Sequence, residues 1–224
     1  MTRTIAITGG HGVLGQAVAA AAVDRGLNVA VIDHAAHGAA PGGVLNLGGV
    51  DLTDATAAED AMAAVIGRFG HLDALLNIAG GFVWQTVDDA EPAWARMFAL
   101  NLTTALNATR AALPHLKRSA EGRIVNVGAN AALKSAAGMG AYAASKAGVH
   151  RLTESLAEEL KSTSVTVNAV LPSILDTAQN RADMPDADPA KWVQPSDLAQ
   201  VMLFLASPES RAITGALVPV TGRV

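Results

Sequence analysis

The amino-acid sequence predicts an α/β protein of three layers, in which helices cover both faces of a parallel, doubly wound sheet. Short apolar runs alternate with longer helical patterns along the chain. The runs are nearly continuous in apolar residues, which is typical of parallel strands buried on both faces. Such an alternation indicates repeated βαβ units. The length of 224 residues suits one domain with a sizeable core, so we expect a single domain over residues 1–224.

Seven apolar runs are expected to form the strands of this sheet. They are short and bounded by helical patterns or turn residues. The predicted strands lie at residues 4–8, 27–32, 44–50, 74–77, 123–127, 165–171 and 216–220.

Five helices are expected between these strands, at residues 13–25, 55–69, 91–118, 139–161 and 196–206. Gly26 ends the first helix, Pro92 lies in the first turn of the third, and the segment 195–197 opens the last. The segment 173–195 carries three prolines and fits no regular pattern. It is either a plain surface loop or a lid over the substrate, and its place after a strand favours the lid.

Composition excludes several classes of function. The chain has 16 basic and 20 acidic residues, a net charge of -4 and no cysteine. We therefore expect neither nucleic acid nor a membrane surface as the main partner, and no disulfide framework or thiolate metal site. The six histidines show no ligand spacing, so no metal is expected. Without an apolar run long enough to span a bilayer or a signal-peptide pattern, we expect a cytoplasmic protein that acts on a small molecule.

A glycine-rich turn directly follows the first predicted strand. Gly10, Gly12 and Gly15 form a G-x-G-x-x-G pattern that opens the first predicted helix. Glycines let the backbone approach a pyrophosphate, and the helix N-terminus offers free N–H groups and positive dipole charge. Because the motif has the strand and helix it needs on either side, it predicts a dinucleotide site on a Rossmann fold.

Asp33 at the end of the second strand indicates which dinucleotide is bound. Its carboxylate can accept hydrogen bonds from the adenosine ribose hydroxyls and would repel the extra phosphate of NADP. No Arg or Lys follows it before residue 68. We therefore expect NAD(H) to be preferred over NADP(H). His11 within the turn is expected to be neutral and solvated, and it does not alter that expectation.

Further motifs give the chain a family resemblance. Asn77-Ile-Ala-Gly80, Asn101, Tyr142-x-x-x-Lys146 and Leu171-Pro172-Ser173 follow in order. With the glycine-rich turn, they make the chain resemble the short-chain dehydrogenases/reductases over practically its whole length. The resemblance implies an oxidoreductase in which Tyr142, Lys146 and Asn101 are catalytic, and a homodimer or homotetramer paired through the two longest helices. Motif and resemblance together imply these cofactor-binding residues: Gly9, Gly10, Gly12, Val13, Leu14, Gly15, Asp33, Asp51, Asn77, Ala79, Gly80, Lys146, Pro172 and Thr177.

The chain departs from the usual family pattern at three positions. Val13 replaces the middle glycine, Ala129 stands where the catalytic serine is usual, and Ser173 follows Pro172 in place of glycine. The first two departures, and the segments 128–142 and 170–192, resemble one branch of the family, the quinonoid dihydropteridine reductases. Asn101 is a general family feature that this branch does not share.

Tyr142 and Lys146 lie four residues apart, so they share a helix face. A free tyrosine titrates near ~10, and a nearby ammonium is expected to lower its pKa towards the working range. Tyr142 then donates a proton to the atom that becomes anionic on hydride transfer. The family resemblance also implies that Asp51 contacts adenine, with a cap of the second helix as the alternative. It implies that Thr177 contacts the nicotinamide carboxamide, with a plain loop threonine as the alternative.

The missing serine points to the kind of substrate. A second donor at a developing oxyanion is worth about 2.7–4 kcal/mol, so its loss favours a reactive acceptor such as a quinonoid dihydropterin. Asn130 or Ser135 is an alternative local donor, and Phe82 and Trp84 are expected either to stack on a flat substrate or to pack within a loop.

The sequence therefore predicts an NAD(H)-dependent reductase of a conjugated C=N or C=O acceptor. Two alternatives remain open: an NAD-dependent alcohol dehydrogenase or carbonyl reductase for another small molecule, and a catalytically silent dinucleotide sensor.

Overall fold

A computed structural model describes residues 2–89 and 93–224. Its strands form one parallel sheet in the order β3-β2-β1-β4-β5-β6-β7. The strands are β1 Thr4–Thr8, β2 Asn28–Ile32, β3 Leu45–Leu47, β4 Ala74–Asn77, β5 Arg123–Val127, β6 Thr166–Pro172 and β7 Leu217–Val220. The predicted α/β fold is confirmed, and every strand except β3 begins and ends within one residue of its predicted position.

The edge strand β3 is shorter than its apolar run. The sequence predicted a strand over 44–50, but the ladder ends at Leu47. Gly48 and Gly49 follow, and Gly49 takes a left-handed φ of 77°, which glycine adopts at little cost. The chain turns there, and the Val50 N–H donates to the Asp33 carbonyl oxygen. This turn brings the segment after β3 against the end of β2.

Helices cover both faces of the sheet, as the sequence predicted. They are α1 Val13–Asp24, α2 Ala55–Phe69, α3 Ala93–Phe98, α4 Thr104–Leu116, α5 Gly140–Glu159, α6 Ala178–Asp183 and α7 Pro195–Leu205. One core lies between the sheet and the pair α1 and α7. The other lies under α2, α4 and α5. Fully buried alanines such as Ala19, Ala22, Ala108 and Ala112 let these helices approach the sheet closely.

The predicted third helix is divided by a π-helical turn. Residues Ala99–Thr103 form this turn between α3 and α4, whereas the sequence predicted one uninterrupted α-helix over 91–118. Periodicity alone does not detect a single inserted residue. The turn buries Asn101, whose side chain is 1% exposed. The predicted role of Pro92 in the first turn lies outside the described residues.

The segment 173–195 is more ordered than its composition suggested. It contains α6 and a 3₁₀ turn at Pro189–Lys191. Leu175 and Val193 form a parallel bridge at its base, and Trp192 is buried. Asp176 accepts hydrogen bonds from Arg181 at 2.6 and 2.7 Å and from Gln194 at 3.0 Å. The segment is therefore a pinned arm that carries a short helix.

Within residues 2–89 and 93–224, the structure contains no helix that is both long and apolar enough to cross a membrane.

Candidate active site

A cleft of about 690 Å³ opens at the carboxyl ends of the strands. It lies where β1 pairs with β2 on one side and β4 on the other. Strand order reverses at this point, which is where ligands bind in open α/β sheets. The predicted cofactor residues that line the cleft are Gly9, Gly12, Val13, Leu14, Gly15, Asp33, Asp51, Ala79, Gly80 and Thr177.

The glycine-rich turn forms the floor of this cleft. Gly9 has a left-handed φ of 66°, and a Cβ on it would lie 2.8 Å from the Ala79 backbone. A Cβ on Gly15 would overlap the Gly9 carbonyl oxygen, so α1 starts tightly against the turn. Gly12 precedes Val13 as the N-cap residue of α1. The first N–H groups of α1 therefore lie beside a glycine turn that packs closely on neighbouring backbone, and this cradle fits a pyrophosphate.

Gly10 has a different position from the other glycines of the motif. It does not line the cleft, and a Cβ on it would overlap the side chain of Val31 in β2. Its lack of a side chain allows the turn to pack on the sheet. Sequence spacing alone does not separate this packing role from a ligand contact.

Asp33 is held firmly at the end of β2. One carboxylate oxygen accepts the His11 N–H and the other accepts the Ala35 N–H, both at 2.9 Å. The side chain is 14% exposed and faces the cleft. A fixed carboxylate with open lone pairs fits the two hydroxyls of a ribose.

His11 is not solvated, so that expectation is wrong. Its side chain is only 5% exposed, and its Nε2 lies 2.8 Å from the Asn46 Oδ1. The β3 segment folds back over the turn and covers the imidazole. This long-range contact is invisible in the local sequence.

Asp51 lines the cleft and accepts hydrogen bonds from the hydroxyl and the N–H of Thr53. These hydrogen bonds hold the pKa of Asp51 below its usual value. The alternative expectation, that Asp51 caps the second helix, is wrong, because Asp54 is the N-cap residue and accepts the Thr56 N–H.

Asn77 and Pro172 do not line the cleft. The Asn77 amide donates to Thr109 at 3.0 Å and to Asn126 at 2.9 Å. Asn77 therefore ties β4 to α4 and β5 beneath the site. Pro172 is buried at the end of β6, and Ser173 after it donates its hydroxyl to the Thr221 carbonyl oxygen.

Thr177 begins the arm's helix and lines the cleft. Its hydroxyl caps α6 by accepting the Asn180 N–H at 3.1 Å. A hydroxyl that accepts one hydrogen bond still has its own proton to donate. Thr177 can therefore serve the helix and a ligand together.

Tyr142 and Lys146 lie on one face of α5, and neither is among the residues that line the cleft. The Lys146 ammonium donates to the Val127 carbonyl oxygen at 2.8 Å and is 5% exposed. Burial raises the pKa of Tyr142 to about 12 and lowers the pKa of Lys146 to about 8. The expectation that the ammonium lowers the pKa of Tyr142 is wrong, because desolvation by burial dominates and raises it. The phenol keeps its proton at neutral pH.

Asn101 secures the loop after β4. Its Oδ1 accepts the Gly81 N–H at 2.9 Å, and its Nδ2 donates to the Gly81 carbonyl at 3.1 Å and to Ser145 at 3.0 Å. A Cβ on Gly80 would lie 2.5 Å from the Asn101 Oδ1 and 3.4 Å from the Lys146 Nζ. The Gly80 backbone therefore packs directly against the side chains of Asn101 and Lys146.

Ala129 follows the end of β5, and only 2% of it is exposed. Its methyl group lies where the family resemblance implies a hydroxyl, and it offers no donor. Asn130 is partly buried, and its side chain makes no hydrogen bond within the described part of the chain. Ser135 is exposed, and its hydroxyl contacts the carbonyl oxygen of its neighbour Ala136.

One aromatic side chain contacts Tyr142, and a second lies on the same loop. The Phe82 ring meets the Tyr142 ring edge to face, with centroids 5.0 Å apart. Trp84 packs against Gly138, where a Cβ would overlap its indole, and the Gln85 N–H donates to the Gly138 carbonyl oxygen at 2.8 Å. Phe82 and Trp84 are nevertheless 53% and 61% exposed. Their exposed surfaces form an aromatic wall on the loop after Gly81, and Phe82 places it in contact with the phenol.

Other cleft residues were not predicted as site residues from the sequence. They come from strand ends, the π-helical turn and the arm, which only the fold brings together. These residues are His34, Ala35, Val50, Leu52, Thr53, Ile78, Leu100, Thr104, Val127, Leu175, Ala178 and Gln179.

Known proteins share this architecture. A ligand-free aldohexose dehydrogenase from Thermoplasma acidophilum superimposes with a TM-score of 0.90 at 25% identity, covering 99% of this chain and 93% of that chain. A 3-ketoacyl-(acyl-carrier-protein) reductase from Brucella melitensis, complexed with NADH, gives a TM-score of 0.87 at 27% identity, covering 98% and 97%.

The sequence comparisons decide the family. The 2-(S)-hydroxypropyl-CoM dehydrogenase 3 of Xanthobacter autotrophicus is 33% identical over 241 residues, which cover 97% of this chain and 94% of the relative. A family model described as short chain dehydrogenase matches residues 3–188. This chain belongs to the short-chain dehydrogenases. As a short-chain dehydrogenase it is an oxidoreductase that uses a nicotinamide dinucleotide, and its glycine cradle and fixed Asp33 carboxylate fit that cofactor.

Proposed function

We propose that this short-chain dehydrogenase is an NAD(H)-dependent reductase of a conjugated C=N or C=O acceptor, with a quinonoid dihydropterin as the first candidate. The observation that carries the proposal is Ala129, a buried methyl group in the place of the usual serine. On α5, Tyr142 holds a proton with a pKa of about 12.

Tyr142 is the proton donor in this proposal. A bound nicotinamide supplies the hydride. Tyr142 then gives its phenolic proton to the acceptor atom that gains charge. Lys146, held by the Val127 carbonyl oxygen, places positive charge near the phenol and favours its ionisation as the proton leaves.

Asn101 and the aromatic wall have supporting roles. Asn101 fixes Gly81 through two hydrogen bonds and thereby positions the loop that carries Phe82. The exposed faces of Phe82 and Trp84 suit a flat conjugated ring.

The class of hydride-accepting substrate follows from the number of side chains that can donate a hydrogen bond or proton to it. A simple ketone gains from a second donor at its developing oxyanion, worth about 2.7–4 kcal/mol. Tyr142 is the only phenol in the chain, and Ala129 adds no side-chain donor. A quinonoid ring becomes more stable as it takes up hydride, so a single proton donor is sufficient.

The preference for NAD(H) rests on Asp33. Its carboxylate faces the cleft in a fixed orientation, where it suits ribose hydroxyls and repels a phosphate.

A second candidate is an NAD-dependent dehydrogenase for another small alcohol or ketone. Asn130 supports it, because this amide lies directly after Ala129 and has no side-chain hydrogen bond within the described residues. The named relatives, an aldohexose dehydrogenase and a 2-(S)-hydroxypropyl-CoM dehydrogenase, also bear dehydrogenase names.

A substrate panel separates these two functions. NADH oxidation is followed with freshly generated quinonoid dihydropterin and with a set of simple ketones, using the wild type and Tyr142→Phe as the control. The proposal expects rapid turnover of the pterin, little turnover of the ketones, and loss of the enzyme-dependent rate in Tyr142→Phe. Turnover of ketones alone would overturn it in favour of the second candidate.

We also propose that the protein assembles with a second copy through the helical segment containing α3 and α4. Trp94, Phe98 and Leu106 on this segment are 43%, 38% and 36% exposed. Large exposed apolar side chains that lie close together along one segment mark a contact surface. The Gly148 backbone of α5 packs closely on Leu102 of the same segment, so α5 lies directly against this segment.

A further inference from the structure

His150 is a buried histidine that the proposed mechanism does not use. It is 2% exposed and lies on α5, four residues after Lys146 and eight after Tyr142. Residues with this spacing lie along one helix face. The imidazole therefore continues the line of side chains that holds the phenol and the ammonium.

The imidazole contacts the backbone where the serine is missing. Its Nε2 accepts the Ala129 N–H at 3.3 Å, and the imidazole packs on Gly128, where a Cβ would lie 2.5 Å from that nitrogen. One turn earlier, Lys146 donates to the Val127 carbonyl oxygen at 2.8 Å. Two neighbouring side chains of α5 thus hold the end of β5 on either side of Gly128.

We propose that His150 is a positioning residue, whose neutral imidazole holds Ala129 and the strand end in the orientation that Tyr142 needs for proton transfer. The proposal rests on the proposed function, in which Tyr142 is the donor. It adds a residue that acts through the backbone at the departure from the family pattern.

The contact requires a particular protonation state. An imidazolium has no free lone pair and cannot accept the Ala129 N–H. In the described part of the chain, the charges that act on the ring come from its own helix: Arg151 and Lys146 lower the pKa of His150, and Glu154 raises it. Burial is the largest cause, and the net pKa lies below the usual 6.5.

The sign of the pH dependence follows from this direction. At neutral pH His150 is uncharged and the contact is present. As the pH falls through the lowered pKa, the ring gains a proton, the contact is lost and a second cation appears beside Lys146. Turnover is therefore expected to have an acidic limb that belongs to His150.

The first test needs no substrate. In the NADH-bound protein, ¹⁵N-edited NMR of His150 is expected to show the tautomer with the proton on Nδ1, and the Ala129 amide signal to titrate together with the ring. A proton on Nε2 at neutral pH, or an Ala129 signal that ignores the titration, would overturn the proposal.

The second test uses turnover of whichever acceptor the panel selects. His150→Leu removes the acceptor atom, and kcat is expected to fall about tenfold while the KM for NADH is unchanged. His150→Gln retains an acceptor oxygen that does not titrate, so it should restore kcat at neutral pH and lose the acidic limb. His71→Gln is the matched control, because His71 lies at the far end of the sheet beside Asp73, and it should retain the limb.

Wild-type kcat in His150→Leu, or an acidic limb that survives in His150→Gln, would overturn the role of His150. If no acceptor is reduced by any variant, the proposed function fails, and the tautomer and the Ala129 titration still decide the role of His150.

Discussion

The phenol of Tyr142 and the ammonium of Lys146 share one face of α5, and burial acts on both. It raises the pKa of Tyr142 to about 12 and lowers that of Lys146 to about 8. Both shifts favour the uncharged group. At neutral pH Tyr142 is therefore a protonated phenol, and Lys146 is an ammonium whose pKa lies close to neutrality.

Replacement of Lys146 by Met should abolish turnover and stabilise the protein. The pKa of Lys146 falls from 10.5 to about 8, which corresponds to on the order of 3 kcal/mol of unfavourable charging. Loss of the hydrogen bond to Val127 offsets about 1 kcal/mol of the gain. We expect calorimetry at pH 7 to give a Tm higher by roughly 4–8 °C.

The pH dependence checks the cause of this stabilisation. Between pH 8 and 10.5 Lys146 is still protonated in the unfolded chain but not in the folded protein. The free energy of unfolding of the wild type therefore rises with pH over this window. The advantage of Lys146→Met should shrink over that window. An advantage that is constant from pH 7 to 10.5 would show that charge burial is not its source.

Asp33→Asn should shift the cofactor preference. The amide keeps the size of the side chain and one acceptor oxygen, and it removes the negative charge. Like charges a few ångströms apart near a protein surface repel by about 1–4 kcal/mol, so we expect kcat/KM for NADPH to rise at least about tenfold relative to NADH. Asp54→Asn, at the cap of α2, is the control and should leave the ratio unchanged. An unchanged ratio in Asp33→Asn would remove Asp33 from the site.

The sequence predicted the positions of some site residues correctly and did not predict the contacts of others. Asp33 and the glycines at 9, 12 and 15 reach the cleft because their positions depend on the short strand–turn–helix unit that contains them. The positions of three other residues depend on partners that are distant in sequence. Gly10 packs on Val31, the Asn77 amide donates to Asn126, and the His11 ring contacts Asn46. Local spacing carries no information about such partners.

At the scale of elements, the arm over residues 173–195 combines a pinned base with a short helix at the cleft. Leu175, Thr177, Ala178 and Gln179 line the cleft, and the bridge from Leu175 to Val193 fixes the base. Composition predicted an irregular segment here, because three prolines interrupt any periodicity. The helix α6 forms nonetheless, because Thr177 caps its start and Arg181 in its last turn donates a hydrogen bond to Asp176.

Arg181→Ala should weaken cofactor binding modestly. Arg181 is largely exposed in its two-bond contact with Asp176, and exposed pairs contribute about 0.2–1 kcal/mol. We expect the KM for NADH to rise no more than about fivefold, with kcat unchanged. Arg151→Ala, which removes the exposed pair with Glu154 on α5, is the matched control. A collapse of kcat in Arg181→Ala would contradict a purely anchoring role.

The pH dependence of this contact is equally specific. Hydrogen bonds from Arg181 and Gln194 lower the pKa of Asp176 to about 2. The carboxylate's stabilising contribution is present above its ordinary pKa and is lost as the pH falls through about 2. The KM for NADH should therefore show no titration of Asp176 in assays at neutral or mildly acidic pH.

At the scale of the whole molecule, the topology could be predicted because each βαβ unit repeats the same pattern. The all-parallel order with its reversal between β1 and β4 places the glycine turn, Asp33 and Ala79 around one cleft. The π-helical turn at Ala99–Thr103 was missed because it inserts into an otherwise regular helix. Its effect is tertiary: it turns Asn101 inward onto Gly81.

A paired substitution tests the proposed assembly. Phe98→Glu with Leu106→Glu places charge on the exposed face of the segment, and burying an unpaired charge is strongly unfavourable. We expect analytical ultracentrifugation to show a smaller species than the wild type. Leu133→Glu, at another exposed apolar side chain, is the control and should retain the wild-type mass. A wild-type mass for the pair would place the interface elsewhere.

The most direct test of the central claim is the change in acceptor preference caused by Ala129→Ser. The measurement is the ratio of kcat/KM for a simple ketone to kcat/KM for quinonoid dihydropterin, with NADH, before and after the substitution. Because the added hydroxyl supplies the missing second donor, the account predicts that the ratio rises by about 10²–10³ while pterin turnover is nearly unchanged. An unchanged ratio, or no turnover of the pterin in either protein, would contradict it.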